Sequence, residues 1–474
     1  MANVKAKINQ IMAASIVTLG VFGMGTVLGW SSPALPNMTA EGAGGHFVNV
    51  SKDEQAWIGS SATLGAFVAC PFGGFGIDKF GRKRTLLLAT VPFAAAWILI
   101  GCSKTVFLMC LGRFTSGFCA SIFTLTAPTY IGECAEPHIR GMLMNAFQVM
   151  LVSGILFVYL LGTILSWQVL SFICATIPAS FLLLSLLIPE TPRYLLSRGD
   201  IASAKKSLLW FRGRSISTPD IQAEFESVQN SVHNSVANKT ANFSDLVKPN
   251  VLKPLAISLS LMLLEQLSAF NVVIFYCVDI FTGAGVQLDS YWSSNIVAGI
   301  QVVVTIFATP LVDMAGRRIL LLISEAFMGL AFVALGAFFY LKEHNYGGID
   351  ALGWLPLVSV TVFIVAFALG IGPLSWTIMG EILHPDVRGL CSAIAVSVVW
   401  FSAFIVTRLY QVLVDGVGVA WAFWIFSLVS ISGVFIVYFF VPETKGMSLD
   451  EIQALYGDKK GRKNTKEGES DNVE

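Results

Sequence analysis

Charged residues are scarce in this sequence. Only 13% of its 474 residues are Asp, Glu, Lys or Arg, whereas 55% are hydrophobic and the mean hydropathy is +0.72. Because a soluble chain of this length needs a far more charged surface, this shortage excludes an ordinary globular protein and indicates a polytopic protein of the lipid bilayer. The 30 basic residues balance the 30 acidic ones, so nothing points to a nucleic-acid partner.

Signatures of metal and catalytic sites are also missing. The five His and eight Cys residues are scattered without CxxC or HxxxH spacing, so we expect no metal site and no cofactor. The sequence has no phosphate-binding glycine loop and no recognisable nucleophile–base pair, which disfavours an enzyme.

Long apolar runs, by contrast, recur along the whole chain. A helix needs about 20 apolar residues to cross the hydrocarbon core of a bilayer, and twelve runs meet this requirement. The first run lacks a small-residue cleavage site, so we predict a membrane helix and not a removed signal. The predicted spans are 11–32, 55–77, 85–102, 106–128, 142–165, 167–188, 252–282, 291–312, 319–341, 351–380, 389–413 and 420–441.

The distribution of basic residues predicts the orientation of these spans. With an even number of spans both termini share one side, and that side holds 25 of the 30 Lys and Arg residues. The positive-inside rule therefore places both termini in the cytoplasm of a plasma-membrane protein. The first external loop, expected from about Ser32 to Gln55, contains two predicted glycosylation sites, Asn37 and Asn49.

Three motifs occur twice, six spans apart and in the same order. DKFGRKR (78–84) matches DMAGRR (313–318), ECAEPHIRG (133–141) matches EILHPDVRG (381–389), and PET recurs at 189–191 and 442–444. This duplication predicts two six-helix bundles with a substrate site between them. The expected units are an N-terminal bundle (1–189), a cytoplasmic helical linker (190–250), a C-terminal bundle (251–441) and a largely disordered cytoplasmic tail (442–474).

The charges of these motifs lie at the predicted cytoplasmic ends of helices. Arginine can pair with a carboxylate of the neighbouring repeat, and such pairs would latch the cytoplasmic side when the protein faces outward. Charges that only set the topology are the alternative. The predicted gate residues are Asp78, Arg82, Lys83, Glu133, Arg140, Glu190, Asp313, Arg317, Arg318, Glu381, Arg388 and Glu443.

Together with GRFTSG, PETPRYLLSRG and PETKG, these motifs resemble the sugar porter family of the major facilitator superfamily. The stretch LGWSSPALP in the first span is similar to animal facilitated trehalose transporters and hexose facilitators. The resemblance implies an all-α membrane protein of twelve transmembrane helices in two six-helix bundles, with a cytoplasmic helical segment between them. It also implies transport of a sugar by alternating access, without covalent chemistry. We expect a monomer.

Polar side chains at mid-membrane depth are costly, so each is a candidate for the binding site. The family binds its sugar through the motif positions of Gln148, Gln266, Asn271 and Gln301, with tryptophans where Trp376 and Trp400 stand. Packing is the alternative role, because glutamines can hydrogen-bond across helices and tryptophans can anchor or fill a core. The predicted substrate-binding residues are Gln148, Glu265, Gln266, Asn271, Gln301, Trp376 and Trp400.

The seventh span must unwind for this prediction to hold. On an ideal helix Asn271 lies about 120° from Glu265, so both can line one narrow cavity only if the helix breaks. The resemblance implies such a break, but the family pattern has glycine where Ala269 stands.

Glu265 has three possible roles: proton site, sugar ligand, or a neutral acid that replaces glutamine without effect. Proton-driven sugar porters resemble one another in an acidic residue in the first span, and the segment from Ile11 to Trp30 has none. Its usual basic partner, Arg113, should therefore stabilise the N-terminal bundle or pair elsewhere. Facilitated diffusion is favoured, with a proton-coupled symporter using Glu265, or a sugar sensor, as alternatives.

Overall fold

The structure is a computed structural model that describes residues 2–39, 50–213, 219–237, 248–383, 387–447, 451–452 and 455–456. The predicted glycosylation site Asn49 and most of the predicted tail lie outside these residues. Within them, all regular secondary structure is helical, and two short 3₁₀ turns accompany nineteen α-helices. The helices are α1 (Ala2–Gly29), α2 (Ser31–Thr39), α3 (Lys52–Phe80), α4 (Arg82–Cys102), α5 (Val106–Cys134), α6 (Pro137–Gly162), α7 (Trp167–Leu184), α8 (Pro192–Ser197), α9 (Ile201–Arg212), α10 (Pro219–Ala237), α11 (Pro249–Leu267), α12 (Phe270–Phe275), α13 (Cys277–Ala284), α14 (Ser290–Ala315), α15 (Arg317–Glu343), α16 (Leu355–Leu369), α17 (Ile371–Ile382), α18 (Arg388–Val417) and α19 (Val419–Phe440).

Twelve helical segments in the described chain are long and apolar enough to cross a membrane, which confirms the predicted number of spans. The seventh span is divided into α11, α12 and α13, and the tenth is divided into α16 and α17. The first span is longer than predicted. Its helix resumes as α2 and continues to Thr39, so the expected start of the external loop near Ser32 is wrong. Six of the nine residues of α2, including Ser31 and Ser32, are buried, and this burial stabilises a helix of about two and a half turns.

The helices pack into two groups joined by a few helix pairs. In the N-terminal half α3 and α4 pack on α5, while α1 packs on α6; in the C-terminal half α15 packs on α19 and α16. Contacts between the halves are made chiefly by α3 with α18 and by α6 with α14. The second span thus meets the eleventh, and the fifth meets the eighth.

Small residues allow the closest of these helix contacts. A Cβ atom built on Gly117 of α5 would lie 1.9 Å from the carbonyl oxygen of Ala62 in α3. One built on Gly65 of α3 would lie 2.0 Å from the carbonyl oxygen of Phe114 in α5. Such close backbone approach is how membrane helices gain packing energy when lipid offers no hydrophobic driving force.

The helices α9 and α10 are attached to the end of the N-terminal half that carries the repeated motifs. Arg212 at the end of α9 donates to the carbonyl oxygen of Cys134 at 2.9 Å and pairs with Glu224 of α10 at 2.6 Å. Gln10 of α1 donates to the carbonyl oxygen of Phe211 at 3.0 Å and accepts from the amide of Glu136 at 2.9 Å.

Substituting alanine for Gly117 should destabilise the protein by about 1–3 kcal/mol, because the added methyl group meets backbone that cannot move away. Gly132, also in α5, is the matched control, since no atom lies within 4 Å of a Cβ built there. Thermal unfolding of the purified protein should show a lower Tm for Gly117→Ala than for Gly132→Ala. Equal Tm values would contradict the close α3–α5 contact.

Candidate functional site

The seventh span breaks at Ala269, between α11 and α12. Ala269 has φ 62° and ψ 26°, which is the left-handed region that costs an L-residue roughly 1–2 kcal/mol. Ser268 fills the gap in the helix by donating its hydroxyl to the carbonyl oxygen of Glu265 at 3.0 Å. The break therefore forms without the glycine of the family pattern, and α12 changes direction relative to α11.

This break brings three predicted site residues into one hydrogen-bonded chain. Asn271 Nδ2 donates to Gln266 Oε1 at 2.6 Å, and Gln266 Nε2 donates to Glu265 Oε1 at 3.3 Å. All three side chains are buried, with at most 6% of their surface exposed. The angular separation expected on an ideal helix is thus overcome by the change in backbone direction. We call Glu265, Gln266 and Asn271 the polar cluster.

The polar cluster ends in an unused acceptor. Glu265 Oε2 is buried and has no hydrogen-bond partner, and the indole of Trp376 and the hydroxyl of Ser375 lie beside the same carboxyl group. Among the described residues no Lys, Arg or His lies within salt-bridge distance of Glu265. Buried acceptors are rarely left unpaired, and a sugar hydroxyl is a donor that could pair here.

Gln301 supplies a second unused acceptor. Its Oε1 atom is buried without a partner in α14, and only 2% of the residue is exposed. Gln148 in α6 and Trp400 in α18 are half-buried. Neither forms a hydrogen bond with the polar cluster in the part of the chain that the structure describes. Of the seven predicted residues, Glu265, Gln266, Asn271 and Trp376 are therefore joined by contacts. Gln148, Gln301 and Trp400 lie on α6, α14 and α18 and form no hydrogen bond with these four among the described residues.

Two further buried polar groups were missed by the sequence analysis. Ser375 precedes Trp376, and its position two residues after the GIGP stretch could have identified it. Glu325 in α15 is fully buried beside Gly433 of α19, and neither of its carboxyl oxygens has a hydrogen-bond partner. The rule that selected Glu265, an acid within an apolar run, applies equally to Glu325.

Arg113 is completely buried and has neutral partners. Its guanidinium group donates to the carbonyl oxygen of Val27 at 2.7 Å and to the hydroxyl of Ser31 at 2.8 Å, and it lies 5.1 Å from the ring of Trp30. These contacts join α5 to the first span at the junction of α1 and α2. They supply the interaction with the N-terminal bundle that was expected in the absence of a first-span acid.

The predicted cytoplasmic gate of the first half contains a compact ion-pair network. Arg82 Nη2 pairs with Glu133 Oε1 at 2.6 Å, and the hydroxyl of Thr191 donates to Glu133 Oε2 at 2.6 Å. Glu190 accepts from the backbone amides of Arg82 and Lys83 at 3.1 and 3.0 Å. Glu190 thus occupies the N-terminus of α4, where unpaired amides and the helix dipole favour an anion.

The second half repeats this arrangement. Arg317 Nη2 pairs with Glu381 Oε1 at 3.5 Å, and Glu443 accepts from the backbone amides of Arg317 and Arg318 at 3.0 and 3.1 Å. Glu443 therefore occupies the N-terminus of α15 as Glu190 occupies that of α4. In both networks each of these contacts joins helices of the same half.

Two predicted gate residues, Arg140 and Asp78, form no ion pair within these networks in the part of the chain that the structure describes. Arg140 donates to the carbonyl oxygen of Ala135 at 3.3 Å, and Asp78 forms no ion pair with the residues that the structure describes. The side chains of Asp313 and Arg388 are not among those described.

The opposite ends of the helices carry ion pairs that cross between the halves. Lys52 at the start of α3 pairs with Asp415 of α18 at 3.2 Å, and Asp53 pairs with Arg408 of α18. The guanidinium group of Arg408 also lies 4.8 Å from the ring centre of Trp57. We call these five residues the α3–α18 clasp.

Three further hydrogen bonds join the described halves. In one of them the hydroxyl of Tyr159 in α6 donates to the carbonyl oxygen of Ile274 in α12. The amide of Val278 in α13 donates to the hydroxyl of Ser32 in α2 at 3.1 Å, and Asn295 Nδ2 in α14 donates to the hydroxyl of Thr163 at 2.9 Å. The described halves are thus held together by the clasp and by these bonds on the side away from the repeated motifs. Asn37 is a half-buried residue of α2 whose side-chain oxygen accepts from the amide of Trp167 at 3.1 Å.

A family model described as sugar (and other) transporter matches residues 15–456. The chain belongs to this sugar transporter family. It is 39% identical over 450 residues to the facilitated trehalose transporter Tret1 of Drosophila virilis, covering 94% of this chain and 48% of that protein. It is 38% identical over 448 residues to Tret1 of Polypedilum vanderplanki, covering 94% of this chain and 87% of that protein. The chain spans about half the length of the Drosophila relatives that it matches.

Solved structures of the major facilitator superfamily share the fold. The proton:xylose symporter XylE bound to 6-bromo-6-deoxy-D-glucose superposes with a TM-score of 0.75 at 24% identity, covering 95% of this chain and 100% of XylE. The inward-open conformation of XylE from E. coli gives the same TM-score at 23% identity, covering 94% and 99%. The protein therefore has the major facilitator fold that the resemblance implied, and it is a multi-pass membrane protein.

Replacing Gln266 with alanine should strongly weaken sugar binding, because it removes the central link of the polar cluster and leaves Asn271 Nδ2 unpaired. An affinity loss of about fivefold to 150-fold is expected, since such a change removes two buried hydrogen bonds worth about 0.5–1.5 kcal/mol each. Ser260→Ala, on the exposed face of the same helix α11, is the control. Binding of labelled sugar to purified protein measures the effect; unchanged affinity in Gln266→Ala would move the site elsewhere.

Proposed function

We propose that the protein carries a sugar, a hexose or trehalose, across the membrane by alternating access and facilitated diffusion. The observation that carries this proposal is the polar cluster, which lies at a helix break and presents an unused acceptor beside Trp376. Hydrogen-bonding groups next to an aromatic side chain suit a ligand that has many hydroxyls and a C–H face. The names of the relatives, facilitated trehalose transporters, agree with this ligand class.

Alternating access is supported by the distribution of the contacts between the halves. The ion pairs and hydrogen bonds that cross between the described halves, the α3–α18 clasp included, lie on one side, whereas the motif ion pairs lie within each half. This pattern fits a state that is closed at the clasp. In the opposite state the predicted gate charges would pair across the halves, since an arginine can exchange one carboxylate partner for another at similar energy.

We also propose an orientation of the chain in the membrane and its division into two bundles and a linker. Both termini and the linker 190–250 face the cytoplasm of a plasma-membrane protein, which acts as a monomer with bundles 1–189 and 251–441. The excess of Lys and Arg on that side supports this orientation. Glycosylation at Asn37 would require release of its hydrogen bond to the amide of Trp167.

Proton coupling is the second candidate function. The name of XylE, a proton symporter, belongs to a protein that shares only the fold at 24% identity. The observation that favours coupling is the buried Glu265 carboxyl, which has one oxygen without a partner. Against coupling stand the absence of acid between Ile11 and Trp30 and the neutral partners of Arg113.

Uptake of labelled glucose, fructose and trehalose into proteoliposomes, with and without a pH gradient, distinguishes the two functions. For facilitated diffusion we expect uptake that equilibrates and does not respond to the gradient. Glu265→Gln should then keep this gradient-independent transport with an altered KM, because glutamine retains one acceptor and adds a donor. Accumulation above the outside concentration that is driven by inward protons and lost in Glu265→Gln would establish a symporter instead.

A further inference from the structure

The tenth span is broken at Gly370, and a side chain of the neighbouring helix α15 forms hydrogen bonds with the backbone on both sides of the break. Gly370, at φ −127° and ψ −102°, separates α16 from α17. The hydroxyl of Ser324 in α15 donates to the carbonyl oxygen of Ala366 at 2.8 Å and accepts from the amide of Ile371 at 3.1 Å. One hydroxyl thus supplies partners to both half-helices within a membrane span, where an interrupted backbone needs partners from the protein.

Ser324 packs closely against Gly370 at this break. Ser324 is only 2% exposed, and a Cβ atom built on Gly370 would lie 2.1 Å from Ser324 Cβ. The same atom would lie 2.9 Å from the carbonyl oxygen of Leu320, one turn earlier in α15. The hydroxyl of Ser324 is therefore directed at the break by packing on all sides.

The helix α15 also holds the far end of α17. Arg317, the first residue of α15, pairs with Glu381 near the end of α17 at 3.5 Å. Ser324 holds the beginning of α17 through the amide of Ile371. Between these two attachments lies Trp376, beside the Glu265 carboxyl of the polar cluster.

We propose that Ser324 is a positioning residue for the sugar site. Through its two hydrogen bonds it fixes α17 to α15, so that α15 and α17 move as one unit and Trp376 keeps its place against Glu265. The proposal rests on the proposed function in one respect, because it assigns Ser324 an effect on sugar affinity. Its effect on the backbone at the break does not depend on any substrate.

Amide hydrogen exchange measured by mass spectrometry tests the backbone effect on the full-length protein. In Ser324→Ala the amide of Ile371 loses its acceptor, so peptides covering Ile371–Ile382 should exchange about tenfold faster. Ser427→Ala is the matched control, since the buried Ser427 of α19 donates to the carbonyl oxygen of Gly329 in α15 at 2.8 Å and has no hydrogen bond to α17 among the described residues. Unchanged exchange in Ser324→Ala, or equal acceleration in Ser427→Ala, would overturn the proposal.

Transport kinetics test the effect on the site. We expect Ser324→Ala to raise KM for the transported sugar about threefold to tenfold, which corresponds to the loss of two interhelical hydrogen bonds in a membrane. Ser324→Cys, which keeps a weak donor, should recover part of this change, and Ser427→Ala should match the wild type. An unchanged KM in Ser324→Ala would refute the positioning role. If the wild type itself carried no sugar, the proposed function would fail, while hydrogen exchange would still decide the role of Ser324.

Discussion

A polar group inside a bilayer must find its hydrogen-bond partner within the protein, and this requirement shapes the whole molecule. Regular helices satisfy it along most of the chain. Where two spans break, at Ala269 and at Gly370, the helix ladder is interrupted and side chains complete it. Ser268 does so in the seventh span, and Ser324 does so in the tenth. The polar cluster and Trp376 are positioned by these two breaks. The candidate site therefore depends on the interruption of two membrane helices.

The repeated motifs form equivalent charged contacts in the two halves. Glu190 and Glu443 each accept from the first amides of the helix that follows the basic motif, and each network contains an arginine–glutamate pair. A carboxylate at a helix N-terminus is stabilised by the local amides whichever way the bundles tilt. These anchors therefore keep each half intact as a unit. The α3–α18 clasp consists of residues outside the repeated motifs. Its ion pairs join the two halves, so they can form only in a state that is closed on that side.

Much of the fold could be predicted from the sequence, because length and apolar composition suffice to identify a span and repeated motifs reveal the two halves. The end of the first span could not be predicted in this way. Ser31, Ser32 and two prolines are typical of a loop, and only burial against other helices makes them a helix. A local sequence pattern gives no information on tertiary packing of this kind.

The candidate site was predictable in part for the same reason. Residue type together with the family resemblance identified Glu265, Gln266, Asn271 and Trp376. Whether Ala269 would adopt a left-handed conformation depends on the surrounding packing, which can offset about 1–2 kcal/mol of strain. Ser324 was missed because a single hydroxyl in an apolar helix is usually bonded to its own backbone. Its role depends on a break in another span, 46 residues further along the chain, since 370 − 324 = 46.

The most direct test of this account is the stabilisation that sugar gives to variants of Ala269, measured as the rise in Tm over the same variant without sugar. Ala269→Gly relieves the left-handed strain and should keep the wild-type rise. Ala269→Val places a β-branched residue where that conformation is strongly disfavoured, so the break and the polar cluster should be lost together with the rise. A wild-type rise in Ala269→Val would contradict a sugar site built on the break in the seventh span.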